Sequence, residues 1–159
     1  MYTFEQVLPL IKPSYGKLCC RKRVGYYHSL SVDFGERIYH HQKRNVDPFY
    51  GEWQFRTYNR MWRITRDEHV ILEGQNNTGT NDELDEALQQ IEFGRVVNIS
   101  ISKQHSLTLK LDNGLSIDFL ISDREEDICT IFLPNNRYLT YTCNQVWEYD
   151  TSDMVDKSS

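Results

Sequence analysis

From residue 97 onward the chain alternates apolar and polar side chains, and this alternation constrains the fold more than any other feature. Val97, Ile99 and Ile101 fall on one side of an extended backbone; so do Leu107, Leu109 and Leu111, and then Leu115, Ile117, Phe119 and Ile121. A period of two is the mark of a strand with one buried face. Asp112-Asn113-Gly114 lies between the second and third runs and signals a hairpin, because Asn-Gly accepts positive φ at both central positions. Residues 128–133 and 138–147, split by Pro134-Asn135-Asn136, give two further strands.

The first half is less regular. Tyr26, His28, Leu30, Val32 and Phe34 share one side of a period-2 pattern, which predicts a strand over 17–34. Residues 35–52 read as a long polar connection around the turn signal Asp47-Pro48-Phe49-Tyr50-Gly51. Trp53 and Phe55 share a face, but Trp62 and Ile64 are out of phase with them, so a turn or bulge is expected at Tyr58-Asn59-Arg60. Val70, Ile71 and Leu72 continue toward a polar loop from Gln75 to Asn81. A helix is predicted near 82–93: Thr80 and Glu83 have capping-box spacing, Leu84, Leu88 and Ile91 form a stripe, and Gly94 stops it. A shorter one is predicted over 3–12, capped by Thr3 and Gln6. The expected fold class is α+β: mainly one twisted antiparallel β-meander sheet, open or partly closed into a half-barrel, with one central helix near 82–93 and a short N-terminal helix. With 159 residues, one domain over 1–150 and a flexible polar tail over 151–159 are expected.

No apolar stretch approaches the roughly 18 residues that span a membrane, and the start Met1-Tyr2-Thr3-Phe4-Glu5 has no signal-peptide character. The cytoplasm is the expected compartment. There the four cysteines, Cys19, Cys20, Cys129 and Cys143, are expected as reduced thiols. Charge is unevenly spread. Residues 1–66 carry 12 Lys and Arg against 5 Asp and Glu; residues 67–159 carry 6 against 18. This asymmetry suggests a molecule with a positive and a negative face.

Recognisable catalytic patterns are lacking: there is no phosphate-binding glycine loop, no Gly-x-Ser-x-Gly and no His-Glu-x-x-His. No catalytic, cofactor-binding or metal-ligating residue is assigned, and the chain is not expected to be an enzyme. His40-His41 makes a poor metal site, since neighbours on a strand point to opposite faces. His28 reads as a hydrogen-bonded core histidine, and Asp118 as a carboxylate on a solvated strand face. Arg21-Lys22-Arg23 with Tyr26 and Tyr27, extended by Lys43-Arg44, Arg56, Arg60, Arg63 and Arg66, mixes cations and rings as single-stranded nucleic acid requires. The acidic pI near 5.5 weighs against that use. An acidic loop of Asp123, Glu125, Glu126 and Asp127, with Glu148, Tyr149 and Asp150 in the last strand, reads as a docking patch for a basic protein, with Tyr149 as its aromatic anchor.

Three stretches carry a resemblance. They are Asp47-Pro48-Phe49-Tyr50-Gly51-Glu52-Trp53 running on to Met61-Trp62-Arg63-Ile64; Ile71-Leu72-Glu73-Gly74-Gln75-Asn76-Asn77; and Phe93-Gly94-Arg95, continued by Leu107 to Gly114 and by Phe132-Leu133-Pro134-Asn135-Asn136. The chain resembles small bacterial immunity proteins of contact-dependent growth inhibition and other polymorphic toxin systems. That resemblance implies a protein that binds a cognate toxin domain, a basic nuclease by expectation, and neutralises it by stoichiometric occlusion. It transfers no individual residue. The alternatives are a nucleic-acid-binding adaptor working through the basic-aromatic first half, and an enzyme with an unrecognised site. The identity of the toxin, the docking face and the oligomeric state are not legible in the sequence.

Overall fold

A computed structural model describes residues 1–41 and 47–151; Lys43, Arg44 and the predicted tail beyond Thr151 lie outside the described residues. The fold is α+β, with two antiparallel sheets and two short helices. The elements are α1 (Phe4–Ile11), β1 (Cys19–Val24), β2 (Leu30–Tyr39), β3 (Phe49–Arg56), β4 (Trp62–Arg66), β5 (His69–Glu73), α2 (Asn81–Gln89), β6 (Val96–Ile101), β7 (Leu107–Leu111), β8 (Leu115–Phe119), β9 (Cys129–Phe132), β10 (Arg137–Tyr141) and β11 (Trp147–Thr151). One sheet has the order β1-β2-β3-β9-β10-β11, the other β5-β4-β8-β7-β6, and neither closes into a barrel.

The sequence pattern explains the split into two sheets. Trp53 and Phe55 point from β3 into the core, and Trp62 and Ile64 point from β4 into the same core from the opposing sheet. The phase break at Tyr58-Asn59-Arg60 is the place where the chain leaves one sheet for the other. The meander β6-β7-β8 forms, burying Ile99, Leu107, Leu109, Leu111, Leu115, Ile117 and Phe119, but Val97, expected on the same face, is exposed, because a register shift between Val96 and Asn98 buries Val96 in its place. Both helices carry complete capping boxes, Thr3 with Gln6 and Thr80 with Glu83. The second helix ends at Gln89, short of 93, and Phe93 is buried beyond it.

Several local expectations give way. The strand over 17–34 is interrupted at residues 25–29 by a tight turn, which makes β1 and β2 a hairpin. Both ends of the supposed connection 35–52 are sheet, since Arg37–Tyr39 pair with Phe49–Gly51. Residues 138–147 hold β10, a turn and the first residue of β11. In the 112–114 turn only Gly114 has positive φ, at 85°, so Asn113 stays right-handed; it donates from its side chain to the Glu92 carbonyl at 2.7 Å.

Sheet edges invite pairing with other chains unless covered or disrupted. Alongside β1 lies α2, whose side chains substitute for a strand: Asp85 Oδ1 accepts from the Val24 N–H at 2.8 Å, and Gln89 Nε2 donates to the Lys22 carbonyl at 2.6 Å. Residues 16–17 pair with Val96 of β6, and Tyr2 exchanges two 2.8 Å hydrogen bonds with Trp147 of β11. A register shift between Ile64 and Thr65 interrupts the β4–β5 ladder. Removing Asp85 should therefore expose what it satisfies. Asp85→Ala is expected to destabilise the fold by about 1–3 kcal/mol, the range for orphaning a part-buried donor. Glu86→Ala, on the exposed side of the same helix, should stay within about 0.5 kcal/mol. Urea unfolding midpoints of the two variants measure the difference.

Candidate docking rim and groove

The register of the six-stranded sheet lines up its outward side chains in two complete rows. Arg23, Ser31, Arg56, Thr130, Thr140 and Glu148 form one, and Arg21, Asp33, Gln54, Phe132, Tyr138 and Asp150 the next. With strands about 4.8 Å apart, each row runs roughly 24 Å from β1 to β11. Arginines stand at the β1–β3 end and carboxylates at the β11 edge, so part of the charge asymmetry of the sequence becomes a lateral gradient on one face. Burial and the neighbouring Asp150 and Glu148 carboxylates raise Tyr138 above its ordinary value.

The arginines of β1 are not free cations. Arg23 grips Asp47 through Nε at 2.9 Å and Nη2 at 3.1 Å, and reaches Asp85 through Nη1 at 2.9 Å. Arg21 Nε donates to the same Asp47 oxygen at 2.9 Å, and its Nη1 lies 3.7 Å from Asp33. Asp33 is fully buried on the outward side, held by the Gly51 N–H at 3.0 Å. Only a glycine allows that approach, since a Cβ at Gly51 would sit 2.6 Å from Asp33 Cβ. Burial pushes the Asp33 carboxyl above its ordinary value, against the pull of the Gly51 amide and Arg21. Asp47 moves the other way, held low chiefly by its hydrogen bond from Arg23. Cys19 and Cys20 lie beside this cluster; burial raises their thiols to about 12 and about 11, so both stay protonated at neutral pH.

Above the network lies a groove of about 1000 Å³, lined among others by Tyr26, Tyr27, Arg56, Tyr58, Phe132 and Leu133. Its tyrosines stand at one rim of the sheet. The β1–β2 turn is left-handed at two successive residues, Tyr27 (φ 58°, ψ 32°) and His28 (φ 57°). Such backbone costs about 1–2 kcal/mol per non-glycine residue, and three contacts hold it in place. The Trp62 indole donates to the His28 carbonyl at 2.6 Å, Asn81 Oδ1 accepts from the His28 N–H at 3.1 Å, and His28 Nε2 meets the Gly79 carbonyl at 2.8 Å. A carbonyl only accepts, so Nε2 carries the proton. The expected core role of His28 is thus met, in a turn instead of a strand. The outcome is that Tyr26 and Tyr27 are 85% and 80% exposed.

The predicted acidic loop shares that rim. It enters β9 at the end of the sheet where β3 exits and the β1–β2 turn sits, as the pairing of Arg56 with Ser31 and Thr130 requires. Asn59 Nδ2 donates to Glu126 Oε2 at 2.9 Å, tying the β3 exit to the loop, and Tyr58 beside it is 61% exposed. Asp123, Glu125 and Asp127 are exposed. Glu148 and Asp150 lie on the outward face of β11. Tyr149, expected as an aromatic anchor beside them, faces the other way: it pairs with Leu139, packs against the core and lies under the Arg137 guanidinium. Strand alternation puts it there. Asp118, expected to be solvated, is nearly buried and receives Arg63 Nε and Thr108 Oγ1, both at 2.8 Å.

Among the described residues no group of three or more His, Cys, Asp or Glu side chains is placed to hold a metal ion, and all four cysteines are free. No helix among them is long and apolar enough to cross a membrane. The sequence matches no family model, and neither the curated proteins nor the solved structures give a match.

The two buried-network carboxyls should have opposite pH signatures. The folded value of Asp33 lies above 3.8, so its burial penalty is relieved as pH falls from neutrality through the folded value toward 3.8. The folded value of Asp47 lies below 3.8, so its contribution is present above 3.8 and lost as pH falls through the folded value. Relative to Asp33→Asn, the wild-type chain should gain stability between about pH 7 and about pH 4; relative to Asp47→Asn, its advantage should hold over that window. Denaturant unfolding at several pH values reads both.

Proposed function

We propose that this chain is an immunity-type inhibitor that neutralises a cognate toxin domain in the bacterial cytoplasm by stoichiometric binding, without turnover. The observation that carries the reading is the rim. Tyr26, Tyr27 and Tyr58 stand exposed at one end of the six-stranded sheet, two of them on a turn whose backbone conformation is unfavourable by itself. Strain of this kind persists where surrounding contacts over-determine it, and it concentrates at sites of function. Tyrosine is among the residues that dominate binding energy at protein interfaces. The neighbouring carboxylates of Asp123, Glu125 and Asp127 suit a basic partner: they steer its approach, while the tyrosines anchor it. The resemblance to immunity proteins supplies the kind of partner.

Nucleic acid fits the surface less well. Arg21 and Arg23 face Asp33, Asp47 and Asp85, so two cations meet three carboxylates and the β1 arginines carry no net positive charge to track phosphates. Binding of single-stranded RNA or DNA at about 50 mM salt is expected to be undetectable, where a phosphate-tracking surface binds most strongly.

The test is co-expression with the C-terminal domain of a toxin gene found immediately upstream of the gene for this chain. Growth should continue and the two chains should copurify in equal amounts. Growth arrest despite abundant folded protein would refute the reading. In the complex, Tyr26→Ala with Tyr27→Ala should weaken affinity by about thirtyfold or more, the loss of about 2 kcal/mol typical of a hot spot, with an unchanged unfolding midpoint. Reversing Glu125, Glu126 and Asp127 to lysine should mainly slow association, and its effect should shrink as salt rises.

A further inference from the structure

Arg56 differs from the other arginines of the groove. It stands on the outward face of β3 in the row between Ser31 and Thr130, and it lines the groove together with Tyr58 and Phe132. Arg21 and Arg23 are each engaged by carboxylates, whereas Arg56 makes no ion pair among the described residues. Its one hydrogen-bond acceptor there is the neutral side-chain carbonyl of Gln54. Its guanidinium packs over the Phe132 ring, 5.4 Å from the centroid, and its Nε is buried without a partner. Asp33, a carboxylate of the adjacent row, is turned into the Gly51 amide and Arg21. A part-buried guanidinium with most of its donors unspent, stacked on a ring, is an incomplete carboxylate site: its Nε is enclosed, and a planar anion in the groove would take up the terminal Nη donors that Gln54 leaves open.

We infer that the groove receives an acidic side chain of the docked protein on Arg56, carried on a segment whose adjacent aromatic or branched residues lie against Phe132 and Tyr58. This rests on the docking reading for the kind of partner, and on Arg56 alone for the chemistry. The rim then meets basic groups of that partner and the groove meets one of its carboxylates, a mixed pattern that discriminates against partners carrying only one sign.

The experiment uses the whole chain, labelled with nitrogen-15, titrated with two capped tripeptides: phenylalanine-aspartate-phenylalanine and its asparagine counterpart. The aspartate peptide should bind about tenfold more tightly, shifting the Arg56 Nε–H, Tyr58 and Phe132 resonances in a saturable manner. Arg56→Gln should bring the two peptides to equal affinity, and Arg56→Lys, which keeps the charge and loses the planar fork, should retain part of the preference. Thermal unfolding of both variants verifies that they are folded. Equal affinity of the two peptides for the wild-type chain, absence of a saturable shift with either, or a preference that survives Arg56→Gln overturns the inference. Each of these results leaves toxin neutralisation to be judged by co-expression. Conversely, failed neutralisation with an intact, Arg56-dependent aspartate preference would reject the toxin partner and keep the carboxylate site.

Discussion

The hydrogen bond from the Trp62 indole to the His28 carbonyl joins the two sheets of this molecule directly, and the groove rim depends on it. Trp62 opens β4, is fully buried, and belongs to the five-stranded sheet; His28 belongs to the hairpin turn of the six-stranded one. A buried indole N–H without an acceptor is costly, and a left-handed His28 without support is strained. Each offsets the other's penalty. The groove rim depends on the same contact, because the turn it holds is what sets Tyr26 and Tyr27 outward. Asn81, at the start of α2, and Gly79, just before it, complete the clamp, so the helix, the hairpin and the core of the second sheet all converge on one turn.

The charged network beneath the groove has a similar cross-chain character. Asp47 and Asp85, 38 positions apart in sequence, share Arg23 between them, while Arg21 ties Asp47 toward the buried Asp33. Such pairs, part-buried and hydrogen-bonded, hold positions more than they add stability, since desolvation offsets much of their attraction. Their consequence for function is subtractive. They neutralise Arg21 and Arg23 and leave Arg56 as the groove arginine outside any ion pair among the described residues. A surface that looks basic along the chain becomes nearly balanced in space, with the acidic rim to one side.

Much of the architecture was legible because it rests on local periodicity. The alternation in β6, β7 and β8, the capping boxes of both helices, and the phase break between Trp53 and Trp62 are short-range signals that survive into the structure. The turn at Tyr26–His28 was not legible, because nothing in Tyr-Tyr-His favours left-handed backbone; the support comes from Trp62, Gly79 and Asn81, all more than thirty positions away. The acidic loop was found by its composition. The orientation of Tyr149 follows from alternation along β11, which separates it from Glu148 and Asp150 although the three are consecutive in sequence.

What the sequence determined by itself is the class of fold, the positions of the two capped helices and the inward face of most strands, because period and capping act over a few residues. Tertiary structure alone decided which strands join which sheet, that Asp85 and Gln89 shield the edge of β1, and that the Tyr26–Tyr27 turn meets the acidic loop at one rim. It also decided which arginines of the groove are neutralised and which one stands outside any ion pair among the described residues. The physical reason is that charge pairing, edge protection and the support of strained backbone depend on distance in space, and the folded chain sets those distances among residues that its sequence keeps far apart.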